Sequence, residues 1–539
     1  MTARANEQRP LAGKLALAGM LAITLALLAS RSGHVPSWDG RIYGDCIIDA
    51  AERHLTLSSL RCSEHMSHAY MLYAGLIQML SPGSFPLMLL ANAILYLIAC
   101  AGFYRLTQLA FPGPEHGVER GLLTSVFAAQ PAILASVVQP NIDFPMLPAF
   151  LWGTVFIIRR QWVALIAVAI ALVFTKETGV LLYVTLVFSY AVAMVLPNPK
   201  SPRSPFRALL HLTPLAVPVG VFAAYIAYRI IVPHEAVIWA AGTTEKSIVY
   251  QFLVPRIDRY FVNYMVMILV LSFAWVTAAV VGIDTLTALV RRYRKLPPRP
   301  LPGAKRRIVR FLIVLGVVTI YALTRFSSWG NSRYLLPVFA LTPFLLYAAL
   351  VRLGITPVVR RSFLGALAAL MLLSTVRTAD PISRALYGTW AFGDHRLLRM
   401  TRVTGECCGG GRDQLVYNLQ FTHLGDLMSD ATAAMATDST VVFVPRRMRW
   451  ETLGPLDART HRRTMRRENV ITPRLFEPDT LQYLEAPPAD AMLVALPNGD
   501  PAAAGDSLAS WYDIGPPVRL RRGGYWLMAH RLTLRDGRS

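Results

Sequence analysis

Charge is what this chain is short of. Only 16% of its 539 residues are Asp, Glu, Lys or Arg, where a soluble protein carries about 25%. Together with 54% hydrophobic residues, that deficit excludes one large water-facing domain and points to many membrane spans. Cysteine is scarce too. There are five, with no Cys-x-x-Cys and no His-x-x-x-His, which argues against the common structural zinc sites. Fixed-period repeats, low-complexity tracts and nucleic-acid motifs are all missing. Acidic residues are the rarer sign, 32 against 54 Lys and Arg, for a net charge of +22. Much of the cationic excess lies in short segments between apolar runs, where it sets membrane orientation. The basic balance therefore does not imply a nucleic-acid partner.

What is present is apolar sequence. About eleven stretches approach the ~20 residues that a span requires: 13–30, 85–104, 121–138, 144–158, 162–175, 178–196, 208–228, 261–283, 308–324, 334–351 and 362–376. The first follows Arg4, Arg9 and Lys14 and runs into Ala29-Ser30-Arg31-Ser32-Gly33-His34. That junction has no good small-x-small cleavage site, so the run reads as an uncleaved first span and not as a signal peptide. With the N-terminus cytoplasmic, the basic clusters Arg105/Arg120, Arg159/Arg160, Lys200/Arg203/Arg207 and Arg352/Arg360/Arg361 all fall inside. So does the Pro-rich stretch Arg291–Arg310 with its nine Lys/Arg, which reads as a loop against anionic lipid. Residues 69–80 are too short to cross and read as an interfacial or re-entrant helix. An odd span count puts the tail outside. Its Gly/Pro turns and β-type runs at 440–444, 491–496 and 525–529 suggest a small α/β domain. The expected fold is mainly α: a polytopic transmembrane helix bundle over 1–376, with an extracytoplasmic α/β domain over 377–539.

On that topology the polar residues gather on the outer face. The first loop, 31–84, brings Asp39, Asp45, Asp49, Glu52, Glu64, His65 and His68. Later outer turns bring Asp143, then Thr175-Lys176-Glu177-Thr178, then Arg325 and Arg333-Tyr334. Ionisable groups at span ends facing one compartment are candidate site residues. Asp45, Asp49 and Glu52 are spaced i, i+4, i+7 and fit equally one solvated face of an amphipathic helix. Asp143, between Pro140 and Pro145, can orient a reacting group or N-cap the next helix, and the two roles are compatible. Lys176 and Glu177 are adjacent, so on a helix each is left to meet other loops. Cys46 and Cys62 share the first loop; they pair if it faces an oxidising compartment and stay thiols if it does not. Cys100 lies within an apolar span, and Cys407 and Cys408 are neighbours in a Gly-rich turn.

Five of these segments come in a telling order: Asp39-Gly40-Arg41-Ile42-Tyr43, His65-Met66-Ser67-His68, Asn141-Ile142-Asp143-Phe144-Pro145, Thr175-Lys176-Glu177-Thr178-Gly179 and Arg333-Tyr334-Leu335-Leu336-Pro337. In that order residues 10–350 resemble the GT-C superfamily of polytopic glycosyltransferases, in particular the branch with protein O-mannosyltransferases and aminoarabinose lipid A transferases. Two positions depart from the branch: Gly40 stands where a Glu often follows the Asp, and Met66-Ser67 where paired prolines follow the His.

The resemblance implies a membrane glycosyltransferase. It would move a sugar from a polyprenyl-phosphate donor to an envelope glycan, lipid or protein on the extracytoplasmic face. Asp39 would be the base and Asp143 would orient the acceptor or the base. Lys176, Arg325 and Arg333 would face the lipid phosphate, and Asp45, Asp49, His65, His68, Glu177 and Tyr334 would complete the substrate site. No cofactor is implied; a divalent cation stays open, although Gly40 removes one carboxylate from any such site. The absence of an Asp-x-Asp motif agrees with a lipid-linked donor. The alternative from a different class is a transporter or flippase of a lipid-linked or anionic substrate. It would call for charges near mid-span, and the apolar spans here are nearly free of them. A mere membrane anchor for the tail would need neither many spans nor acidic turns.

Overall fold

A computed structural model of the chain describes residues 2–32, 39–60, 62, 67–195, 213–231, 273–297, 299, 301–326 and 332–375. In the tail it describes 391–392, 395–396, 434–435, 440–443, 474–476, 487–495, 506–522 and 525–535. Long apolar helices dominate: α1 (Thr2–Ala29), α4 (Phe85–Ala110), α5 (Gly117–Ala128), α6 (Pro131–Val138), α7 (Met146–Arg159), α8 (Trp162–Val173), α9 (Thr178–Tyr190), α10 (Val217–Ile231), α11 (Ala274–Tyr293), α12 (Arg306–Phe326), α13 (Leu336–Arg352) and α14 (Pro357–Ser374). Two shorter helices, α2 (Asp39–Glu52) and α3 (His68–Gln78), lie between α1 and α4.

Among the described residues six helices are long and apolar enough to cross a membrane, or seven if the bent pair α5–α6 is one span. The protein is an integral membrane protein, but several expected spans are shorter than a bilayer. Helix α7 has 14 residues and α8 has 12, against the ~20 of a full crossing. The run 121–138 is not one straight helix. It bends by 53° at Gln130-Pro131, where Gln130 is extended because a residue before proline avoids the helical region. The helix expected to end near residue 283 continues to Tyr293, so Arg291 and Arg292 stand in its last turn.

Side chains without bulk let the bundle close. Helix α1 crosses α5 with Gly13 against Gly117 and Gly121, so near that a Cβ on Gly121 would strike the Gly13 carbonyl. Small residues at such crossings replace the hydrophobic drive that lipid cannot supply. Around them one continuous apolar core joins α4, α5, α7, α9, α12, α13 and α14, with Phe103 stacked on Phe127 at 4.4 Å between ring centroids. The two ends of the bundle differ. Arg120, Arg159, Arg352 and the 291–310 segment share one end, where Lys305 N–H bonds Ala110 O at 2.8 Å and Gly113 N–H bonds Gly303 O at 3.3 Å. At that end Glu119, fully buried, meets Arg360 at 3.4 Å and Arg361 at 3.3 Å. The turns at 139–145, 174–177 and 332–335 share the other end.

In the tail the three expected β-runs are strands. β3 (Val441–Phe443), β5 (Ala491–Ala495) and β8 (Tyr525–Leu534) belong to a mixed sheet with β4 (Arg474–Phe476), β6 (Tyr512–Ile514) and β7 (Val518–Arg522), and β1 (Ala391–Phe392) and β2 (His395–Arg396) form a separate pair. β3 runs parallel to β4 and β5, while β8 runs antiparallel to β5, β6 and β7. Val441, Phe443, Leu493, Leu508 and Tyr512 pack beneath it.

The first polar segment is a stapled pair of helices. Cys46 in α2 and Cys62 form a disulfide with their Cα atoms 5.5 Å apart, closing 16 residues of chain. Tyr43, Ile47, Tyr70, Met71 and Ala74 fill the space between α2 and α3. Closing a loop of this length removes roughly 3 kcal/mol of unfolded-state freedom. Cys46→Ser is therefore expected to lower stability by about that amount. A melting curve in detergent that equals the wild type with and without reductant would show that the bridge does not form.

Candidate functional site

Asp143 is the centre of the site. It lies in the turn between α6 and α7, which the Asn141 side chain folds. The Asn141 carboxamide oxygen accepts from the backbone N–H groups of Asp143 (3.1 Å) and Phe144 (2.9 Å). Its amide nitrogen donates to Gln139 O at 3.0 Å and Ser136 O at 3.3 Å. The local capping work thus belongs to Asn141 and not to Asp143, whose carboxylate is left for longer-range partners. Pro140 and Pro145 end the helices on either side, so the turn cannot extend either of them.

Two cations from distant segments meet that carboxylate. Lys176, in the turn between α8 and α9, donates from Nζ to Asp143 Oδ1 at 2.6 Å. Arg333 places Nε 2.9 Å from Asp143 Oδ2. The three side chains are nearly buried, with exposures of 1% for Asp143, 7% for Lys176 and 11% for Arg333. Tyr334 covers the pair, its ring centroid 4.3 Å from Lys176 Nζ and 5.6 Å from the Arg333 guanidinium carbon. One carboxylate thus meets two cations in a place with little water. Burial by itself would lower the Lys176 pKa; the Asp143 carboxylate and then the Tyr334 phenol overcome it, and the net displacement is upward from 10.5.

The first polar segment docks on the same turn. Asp39 opens α2, and Gly40 behind it is buried against the Gln139 carboxamide and Pro140 O; a Cβ on Gly40 would collide with Gln139. Gly44, one helical turn later, lies 3.8 Å from the Pro140 ring by the same measure. The Gly that departs from the GT-C pattern is thus where α2 makes its close approach to the Asp143 turn. Asn92 on α4 ties the other side: it accepts from Tyr70 Oη at 2.9 Å and donates to Val137 O (3.0 Å) and Gln139 O (3.2 Å). His68, the first residue of α3, stands edge-on to Phe174 and Tyr225, with Nε2 3.3 Å from the Tyr225 hydroxyl. Next to it, Ala69 N–H bonds Phe174 O at 3.0 Å, which anchors α3 to the turn that carries Lys176.

Of the residues singled out in the sequence, Asp143, Lys176, Arg333 and Tyr334 come together, with His68 beside the Lys176 turn. Asp45 and Asp49 lie on the solvated face of α2, where Asp49 pairs with Arg53 at 2.7 Å. Glu177 is half-buried at the start of α9. Arg325 lies in the last turn of α12, at the same end of the bundle as Arg333. The side chains of Asp39 and Arg325, and the whole of Glu64 and His65, lie outside the described residues. Asn92 emerges only here, as do the parts played by Asn141 and Gln139 in holding the turn. The Asn before Asp143 was a visible turn signal; Asn92 was hidden by its apolar helix.

No protein-family model and no curated protein matches the chain. Among solved structures it is similar to ArnT from Cupriavidus metallidurans bound to undecaprenyl phosphate. The TM-score is 0.53 with 14% identity, over 95% of this chain and 97% of that one. The apo structure of the same ArnT gives a TM-score of 0.51 with the same identity and coverage. The likeness is one of fold, spans nearly both chains, and agrees with the GT-C resemblance carried by the motifs.

The buried cluster sets two expectations. Asp143→Asn breaks two buried ion pairs and should cost about 3–5 kcal/mol, part of it recovered by adding Lys176→Met. Thermal melts of Asp143→Asn and of the double variant decide it: a double variant no better than the single one means the pair is not coupled. Because the Lys176 pKa is higher folded than unfolded, its contribution is complete below 10.5 and lost as pH rises through the folded value. Wild type and Lys176→Met should therefore keep a constant stability difference from about pH 6 to 9, converging only at stronger alkali.

Proposed function

We propose that this protein transfers a sugar from a polyprenyl-phosphate donor to an envelope glycan, lipid or protein, at the end of the bundle that carries Asp143. The observation behind this reading is the pair of nearly buried cations, Lys176 and Arg333, held on the Asp143 carboxylate at one end of the bundle. A leaving lipid phosphate is an anion at the membrane edge, and cations fixed there stabilise the charge as it develops. The similar ArnT fold, solved with undecaprenyl phosphate in one case, supports the same class of donor.

In this scheme the Asp39 carboxylate takes the proton of the acceptor hydroxyl. The acceptor oxygen forms its bond to the anomeric carbon while the bond from that carbon to the phosphate oxygen breaks. The electron pair leaves with the lipid phosphate. Arg333 suits paired contacts to phosphate oxygens and Lys176 supplies a compact charge, with Arg325 as a third cation from α12. Asp143 acts mainly by holding Lys176 and Arg333 in place, and through the shared turn it positions α2 and Asp39. His68, Tyr334 and Glu177 lie at the same end; Asp45, Asp49 and His65 are assigned to substrate contact by the motif resemblance alone. The reading also assigns this end to the extracytoplasmic face, with the N-terminus cytoplasmic, a transmembrane bundle over 1–376, and 377–539 as an α/β domain outside.

Asp39→Asn should lower transfer about 10²–10⁴-fold with normal expression and membrane insertion. Arg333→Met should lower turnover by roughly 10²–10³-fold. The assay uses membranes supplied with a polyprenyl-phosphate sugar, alongside mass spectrometry of envelope glycans and glycolipids from a deletion strain. Full activity in Asp39→Asn would remove it as the base; an unchanged envelope would remove the proposed reaction.

A further inference from the structure

Gln130 sits at the break between α5 and α6, and its backbone and side chain serve three helices. Its N–H closes the end of α5 on Phe127 O at 3.2 Å. Its carbonyl opens α6, accepting from the Ile133 and Leu134 N–H groups at 3.1 Å each. Its side chain is fully buried and leaves both helices: Nε2 donates to Phe339 O of α13 at 2.8 Å. That acceptor is available for a definite reason. Pro343 lies inside α13, and a proline in that place has no N–H to give the carbonyl of Phe339, one helical bond back. Thr342 Oγ1 also donates to it, at 2.9 Å. The Gln130 Oε1 atom finds no donor among the described residues. A buried polar atom left unsatisfied costs stability, so an apolar side chain here would avoid a cost that the glutamine carries. What the amide supplies is the link from α6 to α13.

The linked helices carry the two sides of one ion pair. Helix α6 has 8 residues, about 12 Å, and ends in the turn that holds Asp143. Arg333 stands under about two helical turns before Phe339, and α6 also packs on the 332–335 turn. Asp143 is kept near Lys176 by other means, since α7 packs along α8 and α9. The spacing from Asp143 to Arg333 runs instead through α6 and its fastening to α13. We infer that Gln130 is a positioning residue: by bonding the start of α6 to α13, it sets the approach of Arg333 to Asp143. Its consequence for catalysis rests on the proposed transfer, in which Arg333 meets the lipid phosphate. Its effect on the ion pair does not.

The test uses the full-length protein in detergent. Gln130→Met keeps the length of the side chain and removes its amide. Melting temperatures then read the ion pair through double-mutant cycles. Arg333→Met should lower the melting temperature of the wild type, and that of Gln130→Met by less than half as much. Lys176→Met should lower both by the same amount. Pro343→Ala gives Phe339 O a helical N–H, so Gln130→Met with Pro343→Ala should melt with the wild type. Transfer by that double variant, assayed with a polyprenyl-phosphate sugar, should still be about ten-fold slower, while Pro343→Ala alone should match the wild type. An equal Arg333→Met shift in both backgrounds would overturn the positioning role. Transfer recovered together with stability would overturn it too, leaving Gln130 as a donor for one carbonyl. Transfer lost in Pro343→Ala alone would assign the effect to the shape of α13 and not to Gln130. No transfer in any variant, wild type included, would remove the proposed reaction and leave the melting cycles to decide the inference.

Discussion

A carboxylate buried between two cations has to repay the loss of its water, and Asp143 does so only because three turns converge on it. Lys176 comes from the α8–α9 turn and Arg333 from the segment before α13, while Asp143 sits at the bend into α7. Taking such groups out of water costs several kcal/mol per ion unless the pairing geometry is good. The ends of α7, α9 and α13 next to these turns are therefore constrained together: if one turn moves, ion pairs are lost in an apolar setting. The same constraint fixes two cations at this end of the bundle, so what holds it together also suits it to an anion.

The first polar segment is fastened to that centre by steric means. Gly40 and Gly44 remove the bulk that would hold α2 off Gln139 and Pro140. The Cys46–Cys62 bridge and the Tyr70–Asn92–Gln139 hydrogen bonds fasten α2 and α3 to the same turn. The Gly that breaks the GT-C Asp-Glu pattern thereby acquires a local reason. A second carboxylate at that position would need the space that the Gln139 side chain occupies.

The two ends of the bundle solve different problems with similar groups. Around Asp143 the ions are nearly dry, with Lys176 and Arg333 both on one carboxylate. At the other end Glu119 is enclosed by Arg360 and Arg361, and Asp284 by Arg352, where pairs of this kind lock α5 to α14 and α11 to α13. The remaining basic side chains there are mostly exposed. Their concentration at one end agrees with the orientation rule for membrane proteins.

Much of this was legible in the residues. Low charge and long apolar runs announce a membrane bundle, because hydrocarbon tolerates little else. Asp143, Lys176 and Arg333-Tyr334 stood out because each sits alone at the end of an apolar run. The partnership between Lys176 and Asp143 did not, since 33 residues separate them and nothing local records the pairing. Span count was the weaker reading. Hydropathy cannot distinguish a full crossing from the 12-residue α8 or the bent α5–α6 pair, because each is equally apolar. Asp45 and Asp49 show the converse: helical spacing alone allowed a solvated face, and the structure places them on one. By itself the sequence determined the solvent this protein lives in and which polar residues mark the span ends, since both depend only on local composition. Which of those residues touch, which turn bends, and how closely α2 approaches Asp143 were decided by tertiary packing, where desolvation and steric contact act between residues far apart in the chain.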